Sequence, residues 1–158
     1  MNIGFYLLDV TANNAHHQAI LSSINELCVL RPYDNIVLFN NKFDAIDIDH
    51  KYYTLHISEA KYFKGIIFVF DIKSAMLTKT FPAPQKQLLY LNEAEWASKK
   101  HIPYAFWNSI YNNADFELIA ANEDLYELSS VCWKEPIDTI EKLNGELINN
   151  VIQKLTLE

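Results

Sequence analysis

The sequence predicts an α/β fold: one three-layer, Rossmann-like domain over residues 1–158, with a mostly parallel central sheet of about six strands flanked by helices. Three observations support this prediction. The run from Gly65 to Ser74 has unbroken apolar residues up to Asp71, which is typical of a strand buried on both faces. Similar apolar runs alternate with helical periodicities along the chain. No linker, repeat or low-complexity tract interrupts this alternation.

The first part of the chain predicts a strand–helix–strand unit. The apolar runs Ile3–Val10 and Asn35–Asn40 are typical of buried strands. Between them, apolar residues recur at helical spacing from Ala15 to about Leu30, and Pro32 follows this helix. The crossover of such a unit is expected to be right-handed. Up to the Gly65 run, the sequence also predicts a polar loop over 41–50, a strand over Tyr52–Ile57 near an edge of the sheet, and a helical turn over Glu59–Lys64.

The elements predicted after Asp71 are short. The predicted strands are Gln87–Leu91, Phe116–Ala121 and Ile137–Ile140. The predicted helices are Ser74–Thr80, which is stopped by the proline-containing segment 81–84, then Pro103–Asn112, Glu123–Trp133 and a last one from about Asn144 to Leu155. A helical turn is predicted over Glu93–Lys99. The helix over Glu123–Trp133 is expected to bury the apolar face Leu125, Leu128, Val131 and Cys132.

Charge argues against two classes of partner. Thirteen basic residues against twenty acidic ones give a net charge of −7, and Arg31 is the only arginine. Arginine is the preferred bidentate partner of phosphate. We therefore expect no binding to nucleic acid and none to an anionic membrane surface.

Cysteine usage and the N-terminus indicate a reducing compartment. Cys28 and Cys132 are too few for a disulfide scaffold, and their apolar contexts predict that both are buried thiols. Asp9 follows the first apolar run too soon for a signal peptide, and no segment has the roughly 20 apolar residues of a membrane span. The sequence thus predicts a soluble, cytoplasmic protein.

Glycine content argues against a phosphate-binding loop. The chain has three glycines, Gly4, Gly65 and Gly145, and none of them follows a strand with the spacing of a dinucleotide or nucleotide-triphosphate fingerprint. No metal-ligand spacing such as Cys-x-x-Cys occurs either. We therefore expect no cofactor and no metal site.

The first group of candidate ligand-binding residues follows the first and fourth strands. Asp9 and Asp71 come at strand ends, where ligands of parallel sheets collect, and Ser74 opens the next helix. Asn13 lies in a loop whose side chains favour helix caps, and His16 begins the first helix. Because His16 and His17 point about 100° apart on a helix, only one of them can face a given site. One packed and one solvated histidine is the alternative interpretation.

The second group follows the strands over Gln87–Leu91 and Phe116–Ala121. Asn92 and Glu93 end the first of these strands, and Trp96 comes three residues later, a combination common in sugar-binding sites. Capping of a helical turn together with a core tryptophan is the alternative. Asn122 ends the next strand and is a natural helix N-cap, with Glu123 and Asp124 in the first turn.

Several short motifs resemble one half of a phage- or bacterial-type GT-B glycosyltransferase. In that pattern a strand ends in an Asp, a short helix and a proline-rich turn follow, and an aromatic strand leads to an acidic-Trp motif. The matching segments are Phe70–Met76, Phe81–Lys86, Leu89–Trp96, Ile102–Tyr104, Ile110–Asn113, Leu118–Ala120, Val131–Trp133 and Pro136.

The resemblance implies an active site in a cleft between two Rossmann-like domains, one of which holds the nucleotide sugar. This chain departs from the pattern at Asn92, where an Asp is expected, and at Ala121 and Asn122, where an Arg-Ser pair is common. Two hypotheses follow. The chain is a non-catalytic binding or interaction protein without a complete donor site, or it is the acceptor-binding subunit of a two-part or dimeric glycosyltransferase.

The two hypotheses imply different partners. An acceptor-binding subunit takes a sugar or a nucleotide sugar, with Asp71 or a histidine accepting the hydroxyl proton. An interaction protein binds another protein or a second copy of itself through exposed aromatic residues, although core packing is the alternative role of these side chains. The aromatic candidates are Tyr52, Tyr53, Tyr62, Phe63, Tyr104, Phe106 and Trp107.

Overall fold

The computed structural model describes residues 1–11, 14–42, 50–82 and 86–156. These residues form one seven-stranded sheet in which every pair of neighbouring strands is parallel. Helices cover both faces of the sheet. The predicted three-layer, Rossmann-like α/β fold is therefore confirmed, with one strand more than the expected six.

The elements follow the predicted order. The strands are β1 (Asn2–Leu7), β2 (Asn35–Asn40), β3 (Tyr53–His56), β4 (Ile66–Val69), β5 (Gln87–Leu91), β6 (Phe116–Ala120) and β7 (Asp138–Thr139). The helices are α1 (Ala15–Leu30), α2 (Ile72–Thr78), α3 (Glu95–Ser98), α4 (Tyr104–Tyr111), α5 (Glu123–Cys132) and α6 (Gly145–Thr156), with a 3₁₀ helix over Ile57–Tyr62.

The strand order places a topological switch point in the middle of the sheet. The order is β3-β2-β1-β4-β5-β6-β7, so the chain builds outward from β1 in one direction and then returns to build outward from β4 in the other. In doubly wound sheets the loops separate at such a point and leave a crevice beyond the carboxyl ends of the strands. A ligand site is therefore expected beyond β1 and β4.

Strand β4 is central and buried, as its unbroken apolar sequence predicts. All four of its residues are buried, and the ring of Phe68 stacks on that of Phe5 in β1, with centroids 5.1 Å apart. Gly65, just before β4, lies against β1 so closely that a Cβ would be 2.1 Å from the backbone oxygen of Asn2. The glycine therefore permits the two strands to pair.

The core has one part on each face of the sheet. On one face, α1, α5 and α6 contribute Ile24, Leu125 and Ile152 to the buried cluster. On the other face, the 3₁₀ helix, α2 and α4 contribute Ala60, Ala75 and a set of aromatic side chains. This second part is rich in rings, and it adjoins the site described below.

Several element boundaries differ from the prediction, and local capping explains two of them. Helix α2 begins at Ile72 rather than Ser74 because the Asp71 side chain caps it. The 3₁₀ helix begins at Ile57 because the His56 side chain accepts a hydrogen bond from the backbone of Ser58. Strand β1 ends at Leu7 instead of Val10. Strand β3 lies at an edge, as predicted. Residues 43–49 of the predicted loop and 83–84 of the proline-containing segment lie outside the described residues.

The predicted apolar face of α5 is wrong. Leu125 is buried, but Leu128 is 40% exposed and Val131 is 85% exposed. Cys132 is also exposed, so the prediction that both cysteines are buried fails there, while Cys28 is half-buried. Helix α5 turns Leu125 and Ser129 towards the protein and leaves the other apolar positions in solvent.

The aromatic candidates divide between core and surface. Tyr52 and Trp107 are buried, which agrees with the core-packing interpretation. Tyr53, Tyr62 and Tyr104 are about two-thirds exposed, at 68%, 68% and 67%. The exposed three lie on β3, the 3₁₀ helix and α4 respectively.

Candidate functional site

A cleft of about 190 Å³ opens at the carboxyl ends of β4 and β5, beside the switch point. Its lining residues come from the start of α1, the ends of β4 and β5, α3 and the end of α4. They are His16, Phe70, Asp71, Ile72, Leu89, Tyr90, Leu91, Asn92, Glu93, Glu95 and Tyr111. Among these described lining residues there are carboxylates, an amide, an imidazole and phenol rings, but no lysine or arginine. The cleft is therefore acidic and partly apolar.

His16 is held in the cleft by the start of α1. The Asn14 side chain caps the helix by accepting hydrogen bonds from the backbone N–H groups of His16, at 2.9 Å, and His17, at 3.2 Å. The His16 ring lies nearly parallel to that of Tyr90, at an interplanar angle of 17° and a centroid distance of 6.4 Å. The Nε2 atom of His16 is buried and has no hydrogen-bond partner among the described residues.

The charge state of His16 follows from its surroundings. Burial lowers the pKa of His16, and the adjacent His17 lowers it further, while the negative charge of Asp71 acts in the opposite direction. The net direction is downward, so the imidazole is neutral at neutral pH. A neutral imidazole has one nitrogen that accepts and one that donates, and Nε2 is therefore available to one group of a ligand.

The side chains of the adjacent residues His16 and His17 point in different directions, as helix geometry requires. The Nδ1 atom of His17 accepts a hydrogen bond of 3.1 Å from the backbone N–H of Thr11 and so ties the β1–α1 loop to the helix. His17 does not appear among the residues that line the cleft. The nearby Asp9 is exposed and is also outside this lining, and Asn13 lies outside the described residues.

Asp71 both caps α2 and lines the cleft. One carboxylate oxygen accepts the backbone N–H of Ser74 at 2.7 Å, and the other accepts the Ser74 hydroxyl at 2.7 Å. Ser74 is fully buried, so its role is to hold this carboxylate rather than to contact a ligand. Each carboxylate oxygen has a second acceptor position, so the capping bonds leave Asp71 able to bind a donor.

The segment after β5 supplies the acidic wall of the cleft. Asn92 and Glu93 are exposed at the mouth, and Glu95 is half-buried and pairs with Lys99 one turn later in the chain. The hydrogen bond to Glu95 raises the pKa of Lys99, and the charges of Glu93 and Asp71 add to this effect. The carboxylates therefore act together on a nearby cation.

Two further predicted residues, Trp96 and Asn122, also lie outside the cleft. Trp96 turns away from Glu95 and packs against Tyr111, with ring centroids 4.9 Å apart, and against Trp133 at 6.0 Å. Asn122 caps α5 by accepting the backbone N–H of Leu125 at 2.9 Å, as the capping interpretation predicts. The structure therefore brings together His16, Asp71, Asn92 and Glu93 from the predicted set.

Sequence reasoning missed Tyr90 and Tyr111 as parts of the cleft. The Tyr90 hydroxyl donates a hydrogen bond of 3.0 Å to the carbonyl of Ile140, which fixes the ring as a wall behind His16. Tyr111 reaches the cleft from the last turn of α4; burial raises the pKa of its hydroxyl, and the charges of Glu95 and Glu93 raise it further. Nothing in the local sequence of α4 indicates this position.

The described residues contain no group of three or more His, Cys, Asp and Glu side chains that could hold a metal ion. None of the helices in the described ranges combines the length and the apolar character that crossing a membrane requires.

The chain has no significant match among protein-family models, curated proteins or solved structures. The resemblance to half of a GT-B glycosyltransferase therefore stays a prediction. The fold and the cleft together define a doubly wound α/β domain with a small acidic crevice beside its switch point.

Proposed function

We propose that this chain is a binding domain whose cleft takes a small, neutral, hydroxyl-bearing molecule of the size of a monosaccharide. The observation that carries the proposal is the buried Nε2 atom of His16, which has no hydrogen-bond partner among the described residues and lies in a cleft with Asp71 and Glu93. Buried polar atoms in native proteins almost always have a partner, so a ligand hydroxyl is a natural partner here.

The lining favours hydroxyl groups over phosphate. Carboxylate oxygens accept hydrogen bonds, and a ligand that supplies O–H donors satisfies them without adding negative charge. A phosphate beside Asp71 and Glu93 meets like charge, with no lysine or arginine among the described lining residues to offset it. The volume of about 190 Å³ is also below the roughly 300–1,000 Å³ of pockets for drug-sized ligands, which fits a single sugar ring better than a nucleotide sugar.

The predicted resemblance supports the same proposal from another direction. One half of a GT-B enzyme holds the acceptor, and a domain of that kind without its own donor site is a sugar-binding protein. Within this proposal the chain itself does not bind a nucleotide sugar.

A second candidate function is an acceptor-binding subunit of a two-part or dimeric glycosyltransferase. The proximity of Asp71 to His16 favours it, because a carboxylate that stabilises the protonated imidazole helps the ring to act as a general base. In such a reaction Nε2 of His16 takes the proton of the acceptor hydroxyl. The hydroxyl oxygen then forms the new bond to the sugar, and the nucleoside diphosphate leaves from the donor held by a second subunit.

Ligand-observed NMR tests the proposal. The panel consists of glucose, galactose, mannose and N-acetylglucosamine, their phosphates, and UDP- and GDP-sugars, measured against the wild-type chain. We expect at least one neutral sugar to bind, its phosphate to bind more weakly, and no thermal stabilisation by a nucleotide sugar. If only a nucleotide sugar stabilises the chain, the inference that the donor site is missing is wrong. If no neutral sugar binds, the proposal is overturned.

Two variants test whether a sugar that binds does so in the cleft. His16→Phe keeps a ring against Tyr90 but removes both nitrogens, so it should weaken sugar binding by about tenfold, the loss of one hydrogen bond to a buried acceptor. His17→Asn is the matched control, because it keeps an acceptor for the Thr11 backbone and lies outside the lining. Equal binding by His16→Phe and the wild type contradicts the role of Nε2.

A further inference from the structure

A second concave surface adjoins the cleft at α3, with a volume of about 330 Å³. We refer to this surface as the aromatic groove, which is lined by Trp96, Lys100, Ile102, Tyr104, Trp107 and Trp133. All three tryptophans of the chain belong to it. It differs from the cleft in having tryptophan rings, and in having a lysine in place of carboxylates.

Tyr104 is the exposed ring of the aromatic groove. Its ring stacks on Trp133 at a centroid distance of 5.2 Å and an interplanar angle of 20°, and the residue is nevertheless 67% exposed. Trp96 stands nearly perpendicular to Trp133, at 86° and 6.0 Å, so the rings form a floor and a wall. Core packing accounts for the position of Trp107, which is 3% exposed. It does not account for the position of Tyr104, whose stacked ring faces solvent.

The aromatic groove adjoins the cleft at α3. The consecutive residues Glu95 and Trp96 of α3 line the cleft and the groove respectively. Tyr111 lines the cleft, and its ring packs against those of Trp96 at 4.9 Å and Trp133 at 5.4 Å. One wall of packed rings therefore lies between the two sites.

We propose that the aromatic groove binds a second sugar ring of the ligand in the cleft, so that the ligand is an oligosaccharide. The C–H face of a pyranose ring is apolar and flat, and it packs on an aromatic ring such as Tyr104 while the hydroxyl groups at its edge remain free for hydrogen bonds. The ammonium group of Lys100 supplies a donor to one of these hydroxyl oxygens. The inference rests on the proposed function, because it assigns the ring in the cleft to the same ligand.

Intrinsic tryptophan fluorescence tests this inference directly, because every tryptophan of the chain lines the groove. Glucose and N-acetylglucosamine are compared with maltotriose, cellotriose and triacetylchitotriose on the full chain. We expect a trisaccharide to bind more tightly than its monosaccharide and to change the emission, whereas the monosaccharide, held in the cleft, leaves the emission nearly unchanged.

The variant Tyr104→Ala tests whether stacking on the Tyr104 ring contributes to trisaccharide binding. We expect this variant to weaken the trisaccharide by about 3- to 10-fold and to leave monosaccharide binding as in the wild type. Tyr62→Ala is the matched control, since Tyr62 has the same exposure, 68% against 67%, on the 3₁₀ helix away from the groove. Thermal unfolding of both variants identifies any loss of fold.

The outcomes distinguish this inference from the proposed function. Monosaccharide binding that depends on His16, without a gain for any trisaccharide, overturns the groove inference and leaves the proposed function in place. Trisaccharide binding that depends on Tyr104 but not on His16 supports the groove and contradicts the cleft. No binding by any sugar overturns both. Dimerisation that Tyr104→Ala abolishes also overturns the inference, because a second copy then covers the groove.

Discussion

Strands β4 and β6 end in nearly the same way, but only the end of β4 opens into the cleft. Asp71 caps α2 by accepting the N–H of Ser74 at 2.7 Å, and Asn122 caps α5 by accepting the N–H of Leu125 at 2.9 Å. Both caps lie three residues before the N–H that they bind, and both strands are buried. The local chemistry of the two strand ends is therefore almost identical.

Position in the sheet accounts for the difference. Strand β4 lies at the switch point next to β1, so α1 begins close by and brings His16 over the end of the strand. Strand β6 lies between β5 and β7, away from that point, and Asn122 is not among the residues that line the cleft. A strand-end cap thus becomes a candidate site only where the chain reverses its direction across the sheet.

Removing the cap at the end of β4 should have the largest effect. Asp71→Ala loses an N-cap, about 1 kcal/mol, and leaves the fully buried Ser74 hydroxyl without its acceptor, about 1–3 kcal/mol more. We expect a total loss of about 2–4 kcal/mol in the free energy of unfolding, measured with urea. Asp71→Asn, which keeps the cap, is the control and should lose much less. A loss below about 1 kcal/mol for the alanine variant would show that Ser74 finds another acceptor.

The equivalent change at the end of β6 should have a smaller effect. Asn122→Ala loses the cap of α5 alone, because no buried hydroxyl among the described residues bonds to its side chain, and should cost about 1 kcal/mol of unfolding free energy. Sugar binding should be unchanged, since Asn122 is outside the cleft. Asn122→Asp keeps the cap and serves as the control. If Asn122→Ala weakens sugar binding, the distinction between the two strand ends is wrong.

These strand ends also show how far the sequence could predict the site. His16, Asp71, Asn92 and Glu93 could be assigned to one edge because strand ends and helix starts of a parallel sheet meet there. The capping of α5 by Asn122 was equally predictable from its position before an acidic first turn. In both cases the information lies within a few consecutive residues.

Contacts between distant elements could not be predicted. Tyr111 enters the cleft because α4 packs under α3, and the direction of that helix is set by tertiary packing. Trp96 and Glu95 are neighbours in sequence but line different surfaces, since consecutive residues of a helix point about 100° apart. The exposure of Val131 has the same cause, because periodicity marks an apolar face but not whether another element covers it.

The charge of Asp71 should matter to His16 even when its cap is preserved. In Asp71→Asn the negative charge that opposes the effect of burial is absent, so the pKa of His16 should fall further below its ordinary value. An NMR titration of the imidazole resonances measures this shift. The matched change at the other strand end, Asn122→Asp, adds a carboxylate away from the cleft and should leave the His16 titration unchanged. An unchanged titration in Asp71→Asn contradicts the electrostatic contact.

The smallest expected effect is a difference in how the free energy of unfolding depends on pH between variants at His16 and at Asn122. His16 has a folded-state pKa below its ordinary value of 6.5, so between these two values the unfolded chain holds more protons than the folded chain. Stability therefore rises with pH across this window and falls as the pH drops below about 6.5. His16→Phe should flatten the slope of the unfolding free energy against pH measured below about pH 6.5, whereas Asn122→Ala should lower the curve without changing its slope. Equal slopes in the wild type and His16→Phe would mean that His16 titrates as in the unfolded chain and is not held neutral in the cleft.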